Sequence, residues 1–171
     1  GSEKKALVYA DELMRISKVD GYLAKGYIAE YNDRPEDAEV YYKKAIQVGG
    51  SIHTYEKLSG LYENTNSPEK ALKNYEHATK KHNRNHLNYQ MGKVCAQYNL
   101  ELDKGLQYLQ AYLKNYSSGD GVPKSWAYFR IAQIYRHKKD KANAYNWINK
   151  ALKAKPDFKD ARKEKDLILK M

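Results

Sequence analysis

The sequence predicts an all-α protein, a right-handed α-solenoid of about four helix–turn–helix repeats with one further helix at each end. Three observations support this prediction. Apolar residues recur at helical spacing, helix-start signals interrupt them, and small residues return at a period near 34 residues. Stacked helix pairs of this kind bury a continuous core, for which a chain of 171 residues is long enough.

The stretch from Tyr55 to Ala78 illustrates one repeat. Residues 55–62 place two tyrosines, a leucine and a serine three or four positions apart, which is the spacing of one helix face. Pro68 suits the first turn of a second helix, and Ser67 is predicted to be its N-cap. A second stripe of the same spacing consists of Ala71, Tyr75 and Ala78. The segment is therefore predicted to form two short helices joined by a tight turn.

Small residues return at matching places along the chain. Gly26, Ser59, Gly92 and Ala132 are separated by 33, 33 and 40 residues. A second series is Ala38, Ala71, Gly105 and Ala144, and a third is Ala45, Ala78, Tyr112 and Ala151. Small side chains allow two helices to approach closely, so each repeat is predicted to pack its two helices at these positions. The turn of the third repeat, residues 99–103, is predicted to be one residue longer than the others.

The pattern resembles the tetratricopeptide repeat, whose signature runs W-x2-L-G-x2-Y, then A-x3-F, then a later Ala and Pro. Residues 55–62 read Y-x2-L-S-x2-Y, residues 128–135 read Y-x2-I-A-x2-Y, and residues 22–29 read Y-x2-K-G-x2-A. The third unit departs most, with Met91, Gly92 and Cys95 at these places. Four units in phase cover about residues 19–158. The resemblance implies stacked helical repeats and a role in binding other proteins.

The predicted organisation is a single domain over residues 3–171. Gly1-Ser2 is typical of the remnant of a protease cleavage site and is left out. The terminal helices are predicted over Lys4–Ile16 and Asp157–Leu169, the latter covering the last repeat with Phe158, Ala161, Leu167 and Leu169. The segments are an N-terminal helix at 3–18, repeats at 19–51, 52–84, 85–124 and 125–158, and a capping helix at 158–171.

The resemblance implies a concave groove formed by the first helix of each repeat, where members of the family commonly hold peptides. Several aromatic residues fall on this predicted face without being required by the repeat signature, and Tyr and Trp are enriched at binding hot spots. The alternative is that they pack against neighbouring repeats. The predicted partner-binding residues are Leu23, Tyr27, Tyr31, Glu56, Tyr89, Lys93, Trp126, Phe129 and Gln133.

One subclass of the family binds the acidic tails of chaperones with a clamp of Lys, Asn and Arg side chains. The clamp positions here hold Leu23, Tyr27, Lys57, His86 and Gln90, or, one repeat later, Glu56, Gly60, Gln90, Trp126 and Arg130. Neither set combines the cations and amides that the clamp needs. The chain is therefore not expected to be an adaptor of that type.

No motif in the sequence predicts catalysis, so the protein is expected not to be an enzyme and to need no cofactor. His82 and His86 have a spacing that can hold a metal on a continuous helix, but they flank a predicted turn and no third ligand is evident. No metal is expected. Cys95, the one cysteine, falls on the inner stripe of its helix and is predicted to be a buried free thiol.

The net charge of +10 is concentrated towards the C-terminus. From Arg136 onward there are 12 Lys or Arg residues and 5 Asp or Glu residues. Such an end is either a solvated cap or a surface for nucleic acid, anionic lipid or an acidic protein. Nucleic acid is the less favoured of these, because no interleaved basic and aromatic motif is present. A self-assembling scaffold is a further alternative function.

Two features leave alternatives open. Asn115–Ser125 lengthens the gap before the fourth repeat and is predicted to be a turn-rich, mobile loop, either a spacer or a binding loop. The Lys-, Asn- and Tyr-rich composition favours a bacterial protein, in the cytoplasm or in the periplasm after loss of a signal peptide. No segment is long and apolar enough to predict a membrane span.

Overall fold

The computed structural model describes residues 2–171. Gly1, the first residue of the predicted cleavage remnant, lies outside the described residues. Within this range the chain forms ten α-helices, one short 3-10 helix and no strand, as the sequence predicted. The α-helices are α1 (Ser2–Ile16), α2 (Lys18–Tyr31), α3 (Pro35–Gln47), α4 (Ile52–Asn64), α5 (Pro68–Lys81), α6 (Asn85–Tyr98), α7 (Leu102–Lys114), α8 (Lys124–His137), α9 (Lys141–Ala154) and α10 (Lys159–Leu169).

The chain divides into two compact units, one ending at Ala78 and the other formed by Thr79–Met171. The first unit contains α1 to α4 and most of α5. The second contains α6 to α10. The prediction of one domain over 3–171 and its internal limits stay predictions.

In the first unit, small residues bring paired helices into contact. Gly26 of α2 faces the buried ring of Tyr42 on α3 so closely that an added Cβ would lie 2.2 Å from the ring. On α4, the Ser59 hydroxyl donates to the Ala71 carbonyl of α5 at 3.3 Å. Asn74 of α5 donates its side-chain amide to the Tyr55 carbonyl at 2.8 Å. These contacts form two hairpins, α2–α3 and α4–α5.

The second unit repeats this arrangement. Gly92 of α6 leaves room for Leu109 of α7, and Gly105 leaves room for Cys95. Cys95 is a fully buried thiol, as predicted. The core then continues through α8, α9 and α10 in a cluster of Phe129, Ala132, Ala144, Ile148, Ala151, Phe158, Ala161 and Ile168.

Each turn within the four helix pairs leaves three residues between the helices. In each, the residue seven positions after the small residue has a left-handed backbone: Asp33, Asn66, Asn99 and Lys139. The third turn has a second such residue, Glu101, so its additional residue lies between Asn99 and the start of α7, within the segment predicted to be longer. Ser67, the expected N-cap of α5, instead donates its hydroxyl to the Thr65 carbonyl at 3.4 Å.

The segment between α7 and α8 is held by hydrogen bonds, in contrast to the mobile loop that was expected. Asp120, at the end of the 3-10 helix Ser118–Asp120, accepts from the Ser117 backbone N–H at 2.8 Å and from the Asn85 side chain at 2.9 Å. These bonds lower the pKa of Asp120. The Tyr112 hydroxyl donates to the Val122 carbonyl. The sequence showed the glycines of this loop, but it did not show that Asn85 of α6 and Tyr112 of α7 form hydrogen bonds with it.

The terminal helices differ in detail from their predictions. Helix α1 begins at Ser2, and α10 begins at Lys159, immediately after buried Phe158. The residues of α10 that cover the last pair are Ala161, Glu164 and Ile168, which share one stripe, whereas Leu167 and Leu169 are about half exposed. None of the helices in residues 2–171 combines the length and the apolar character that a membrane span requires.

Candidate functional site

In the first unit, α2 and α4 contribute three side chains to one contact group. The Tyr27 hydroxyl and His53 Nε2 are 2.9 Å apart, and the Lys57 ammonium lies 4.8 Å from the centre of the Tyr27 ring. Tyr27 also packs edge-on against Tyr42, with ring centres 6.0 Å apart. Of these three residues, Tyr27 belongs to the predicted partner-binding set, whereas His53 and Lys57 do not. The group combines an aromatic ring with a neighbouring charge on a part-exposed surface.

An open cleft lies beside this group. We call it the α2–α4 cleft. Its volume is about 340 Å³, and it is lined by Glu30, His53, Glu56, Lys57, Gly60, Leu61 and Asn64. At Gly60 an added Cβ would meet no atom within 4 Å, so the centre of the cleft is open. Glu30 and Glu56 supply two carboxylates to the cleft and Lys57 supplies one ammonium, so the acidic groups outnumber the basic one.

Two other predicted residues of the first unit are placed differently. Leu23 is buried in α2, so its side chain is a packing residue in the free protein. Tyr31 is 91% exposed and lines a separate cleft between α1 and α2, together with Ser2, Ala6, Tyr27 and Ile28. The predicted set therefore falls on two surfaces of this unit.

In the second unit, Tyr89 and Phe129 are each only 5% exposed. The ring of Tyr89 lies 5.5 Å from that of Tyr112, and the ring of Phe129 lies 5.2 Å from that of Phe158. Their burial favours the packing alternative over the solvent-facing surface on which partner contact was inferred. Their role in binding stays a prediction.

Trp126 is half-buried, with one side against the core and the other facing a cleft. Its ring lies 4.5 Å from Phe158, and Lys155 lies 5.8 Å from its centre. Its other side lines a small cleft of about 250 Å³, which Tyr89, Gly121, Val122 and Pro123 complete. The loop before α8 thus contributes a wall to a cleft that holds two of the predicted residues.

The remaining predicted residues of the second unit are Gln133 and Lys93, both half-buried. Gln133 accepts from Arg130 at 2.8 Å and reaches the Glu164 carboxylate of α10 at 3.5 Å. Arg136 forms an ion pair with the same carboxylate, which is almost fully buried. Gln133 is therefore occupied in joining α10 to α8. Burial and the charge of Arg136 lower the pKa of the adjoining His137.

Sequence reasoning missed two surfaces. One is a cleft of about 410 Å³ between α3, α4 and α5, whose floor is Tyr55, Leu58 and Tyr62 and whose rim includes Lys70 and Lys73. The other is the exposed apolar side of α1. The spacing of the apolar residues on α1 indicated its exposed apolar side. The cleft could not be inferred from spacing, because it depends on how helices from different repeats diverge.

The charged and metal-ligand candidates are placed as follows. Among residues 2–171, no three His, Cys, Asp or Glu side chains are arranged to hold a metal ion. At the basic end, Lys150 lies 4.1 Å from the centre of the Trp147 ring and Lys165 lies 5.2 Å from that of Tyr145. Packing of these lysines on aromatic rings is compatible with both a solvated cap and an anion-binding surface.

Comparison with known proteins places the fold. The profile of the tetratricopeptide repeat matches residues 19–48 and 127–158. These two segments are tetratricopeptide repeats, and the fold of the chain is that of tetratricopeptide-repeat proteins. No curated protein sequence matches it significantly.

Solved structures agree with the fold along almost the whole chain. YrrB, described as a tetratricopeptide-repeat protein with an unusual peptide-binding site, is 19% identical, with a TM-score of 0.75 over 96% of this chain and 84% of YrrB. A repeat protein from Parabacteroides merdae is 16% identical, with a TM-score of 0.77 over 98% of this chain and 66% of its own. PilF of Pseudomonas aeruginosa is 18% identical, with a TM-score of 0.69 over 91% and 70%.

Proposed function

We propose that the protein is a non-catalytic binding module that holds an extended segment of a partner protein in the α2–α4 cleft. The observation that carries the proposal is the open cleft beside Tyr27, His53 and Lys57. Part-exposed aromatic rings with charged neighbours are common anchors at protein interfaces. The peptide-binding site described for YrrB supports this role for the fold.

The chemistry of the cleft favours a particular peptide. An apolar or aromatic side chain would pack on the Tyr27 ring, and a neighbouring Lys or Arg would lie near Glu30 and Glu56. The Tyr42 hydroxyl already donates to Glu30 and keeps that carboxylate in place. A basic residue in the peptide is expected because carboxylates bind guanidinium and ammonium groups with short, charge-assisted hydrogen bonds.

Gly60→Leu tests the cleft without removing any existing contact. Leucine is a better helix former than glycine, and its side chain would fill the open centre of the cleft. In selection from a displayed library of random peptides, the wild type is expected to enrich peptides with an apolar residue next to Lys or Arg. Gly60→Leu is expected to weaken binding of the selected peptides at least about tenfold, the equivalent of about 1.4 kcal/mol.

The control is Glu69→Leu, which adds the same side chain at an exposed position of α5. It is expected to bind the selected peptides like the wild type. Equal binding by the wild type and Gly60→Leu would contradict the α2–α4 cleft as the site. Peptides that are acidic, and whose binding falls steeply with salt, would instead favour the basic C-terminal surface.

A further inference from the structure

An apolar stripe with Ser2 at one end runs along α1 beside the buried residue Ala10. Ser2, Ala6, Tyr9, Leu13 and Ile16 follow one another at steps of four and three, so they lie on one face of the helix. Tyr9 is 69% exposed and Ile16 is 86% exposed. Together with Tyr31 of α2 these residues form what we call the N-terminal face.

A cleft of about 590 Å³ opens in this face. Its lining is Ser2, Glu3, Ala6, Tyr27, Ile28, Tyr31 and Asn32, so α1 forms one wall and α2 the other. The stripe therefore passes directly into a depression at the end where Ser2 lies. The N-terminal face has a projecting part, formed by Leu13 and Ile16, and a receiving part, formed by the cleft.

Comparison with the other first helices shows that the place of Ile28 is covered there: Leu61, Val94 and Ile134 are buried, whereas Ile28 is partly exposed. Ile134 and His137 follow the small residue Ala132 by two and five positions, as Ile28 and Tyr31 follow Gly26. Ile134 is fully buried and His137 is part-buried, whereas Tyr31 is exposed. Helix α8 packs against both α6 and α7, whereas within residues 2–171 the preceding helix that packs against α2 is α1. The cleft lies where a preceding first helix would pack.

The C-terminal helix of another copy does not suit this place. Arg162, Lys165 and Asp166 of α10 stand where α8 has Tyr128, Ile131 and Ala132. A charged surface of this kind would lose hydration against Tyr9 and Ile16 without gaining partners. Head-to-tail association through α10 is therefore disfavoured.

The N-terminal face is complementary to itself. Lys5 and Glu12 lie seven residues apart on the same edge of the stripe. If two copies of α1 pack antiparallel, Lys5 of each faces Glu12 of the other, and the crossing point falls between Val8 and Tyr9. In that register Ile16 of each copy reaches the cleft beside Ser2 and Tyr31 of the other. Such a contact uses the same patch on both subunits, as a two-fold dimer requires.

We propose that two copies of the chain associate through their N-terminal faces, with their α1 helices antiparallel. The contact would bury the largest exposed apolar side chains of α1 and pair opposite charges at its edge. It uses none of the residues that line the α2–α4 cleft, and the residues substituted to test it are distant in sequence from that cleft, so peptide binding and association can be measured separately.

Sedimentation velocity of the full chain, from about 1 to about 200 µM, tests the proposal through the concentration dependence of the mass. The wild type is expected to move towards twice 19.9 kDa as concentration rises. Ile16→Lys is expected to weaken association at least about tenfold, because it places a charge in the partner's cleft. Val40→Lys, at an exposed valine of α3, is the matched control and should associate like the wild type.

Charge reversal tests the antiparallel register. Glu12→Lys is expected to weaken association, and Lys5→Glu combined with Glu12→Lys is expected to restore it, with circular dichroism confirming helical content. Failure of the double variant to recover would overturn the antiparallel pairing. A wild type that stays monomeric throughout, or association that Ile16→Lys leaves unchanged, would overturn the proposal and leave the face to a helix from a different protein.

Discussion

Gly26→Ala is expected to lower the free energy of unfolding by about 2 to 3 kcal/mol, although it adds one methyl group to a helix. The new Cβ would lie 2.2 Å from the Tyr42 ring, which is closer than such atoms approach. The ring cannot easily move away, because Tyr42 is fully buried, packs against Tyr27 and donates its hydroxyl to Glu30. The helices α2 and α3 would have to separate instead.

Gly60→Ala is the matched control, since it makes the same change in a neighbouring first helix. Its Cβ meets no atom within 4 Å, so only helix propensity should act, and stability should rise by about 0.5 to 1 kcal/mol. Urea unfolding followed by circular dichroism would give both values. Equal effects of the two substitutions would mean that the Gly26 contact with Tyr42 is not what fixes the spacing of the helices.

The small residues were also what made the fold predictable from sequence. Gly26, Ser59, Gly92 and Ala132 each lie where two helices of one pair meet, and their recurrence could be found without any structure. Pro68 marked the start of α5. Periodicity located the additional residue of the third pair near its turn, but it could not show the second left-handed residue, Glu101, that the turn contains.

The candidate site was predictable only in part. A helical pattern identifies the side of a helix on which a residue lies, and it therefore located Tyr27 and Tyr31 on a partly open surface. It does not show what covers that side. Tyr89 and Phe129 occupy the place that Leu23 has in α2, and all three are buried, Tyr89 beside Tyr112 and Phe129 beside Phe158. Residues such as Phe158 come from a later part of the chain, so their contacts depend on tertiary packing.

The same limitation explains the two terminal helices. Both were predicted as helices, and α10 was correctly expected to present charge to solvent. The sequence placed Leu167 and Leu169 in its packed stripe, whereas the structure places Glu164 there, almost fully buried. A buried carboxylate is not expected from hydrophobic pattern, because its cost is offset only by a partner that the pattern does not reveal. Here that partner is Arg136.

Glu164→Ala is expected to lower the free energy of unfolding by about 3 kcal/mol, because it removes one partner of a buried ion pair from α10, the helix that covers the end of the core. Glu164 forms an ion pair with Arg136 and also contacts Gln133 at 3.5 Å. Removing the carboxylate leaves the half-buried Arg136 guanidinium without its counter-charge. It also leaves a gap between α8 and α10.

The control is Asp103→Ala, which removes the ion pair between Asp103 and Lys138 in the same unit. These side chains are 2.5 Å apart, but Asp103 is 83% exposed, so the loss should be below about 1 kcal/mol. Urea unfolding of both variants gives the comparison. If Glu164→Ala costs no more than Asp103→Ala, the buried ion pair does not hold α10 in place.

A double substitution separates the charge from the packing at this position. Arg136→Met with Glu164→Leu removes both charges and keeps apolar volume between α8 and α10. It is expected to recover most of the stability that Glu164→Ala loses, because apolar side chains of similar volume can replace a buried ion pair without loss. Recovery would show that the cost of Glu164→Ala is mainly the unpaired Arg136. Continued loss would instead assign that cost to the specific geometry that Glu164 gives to Gln133 and Arg136.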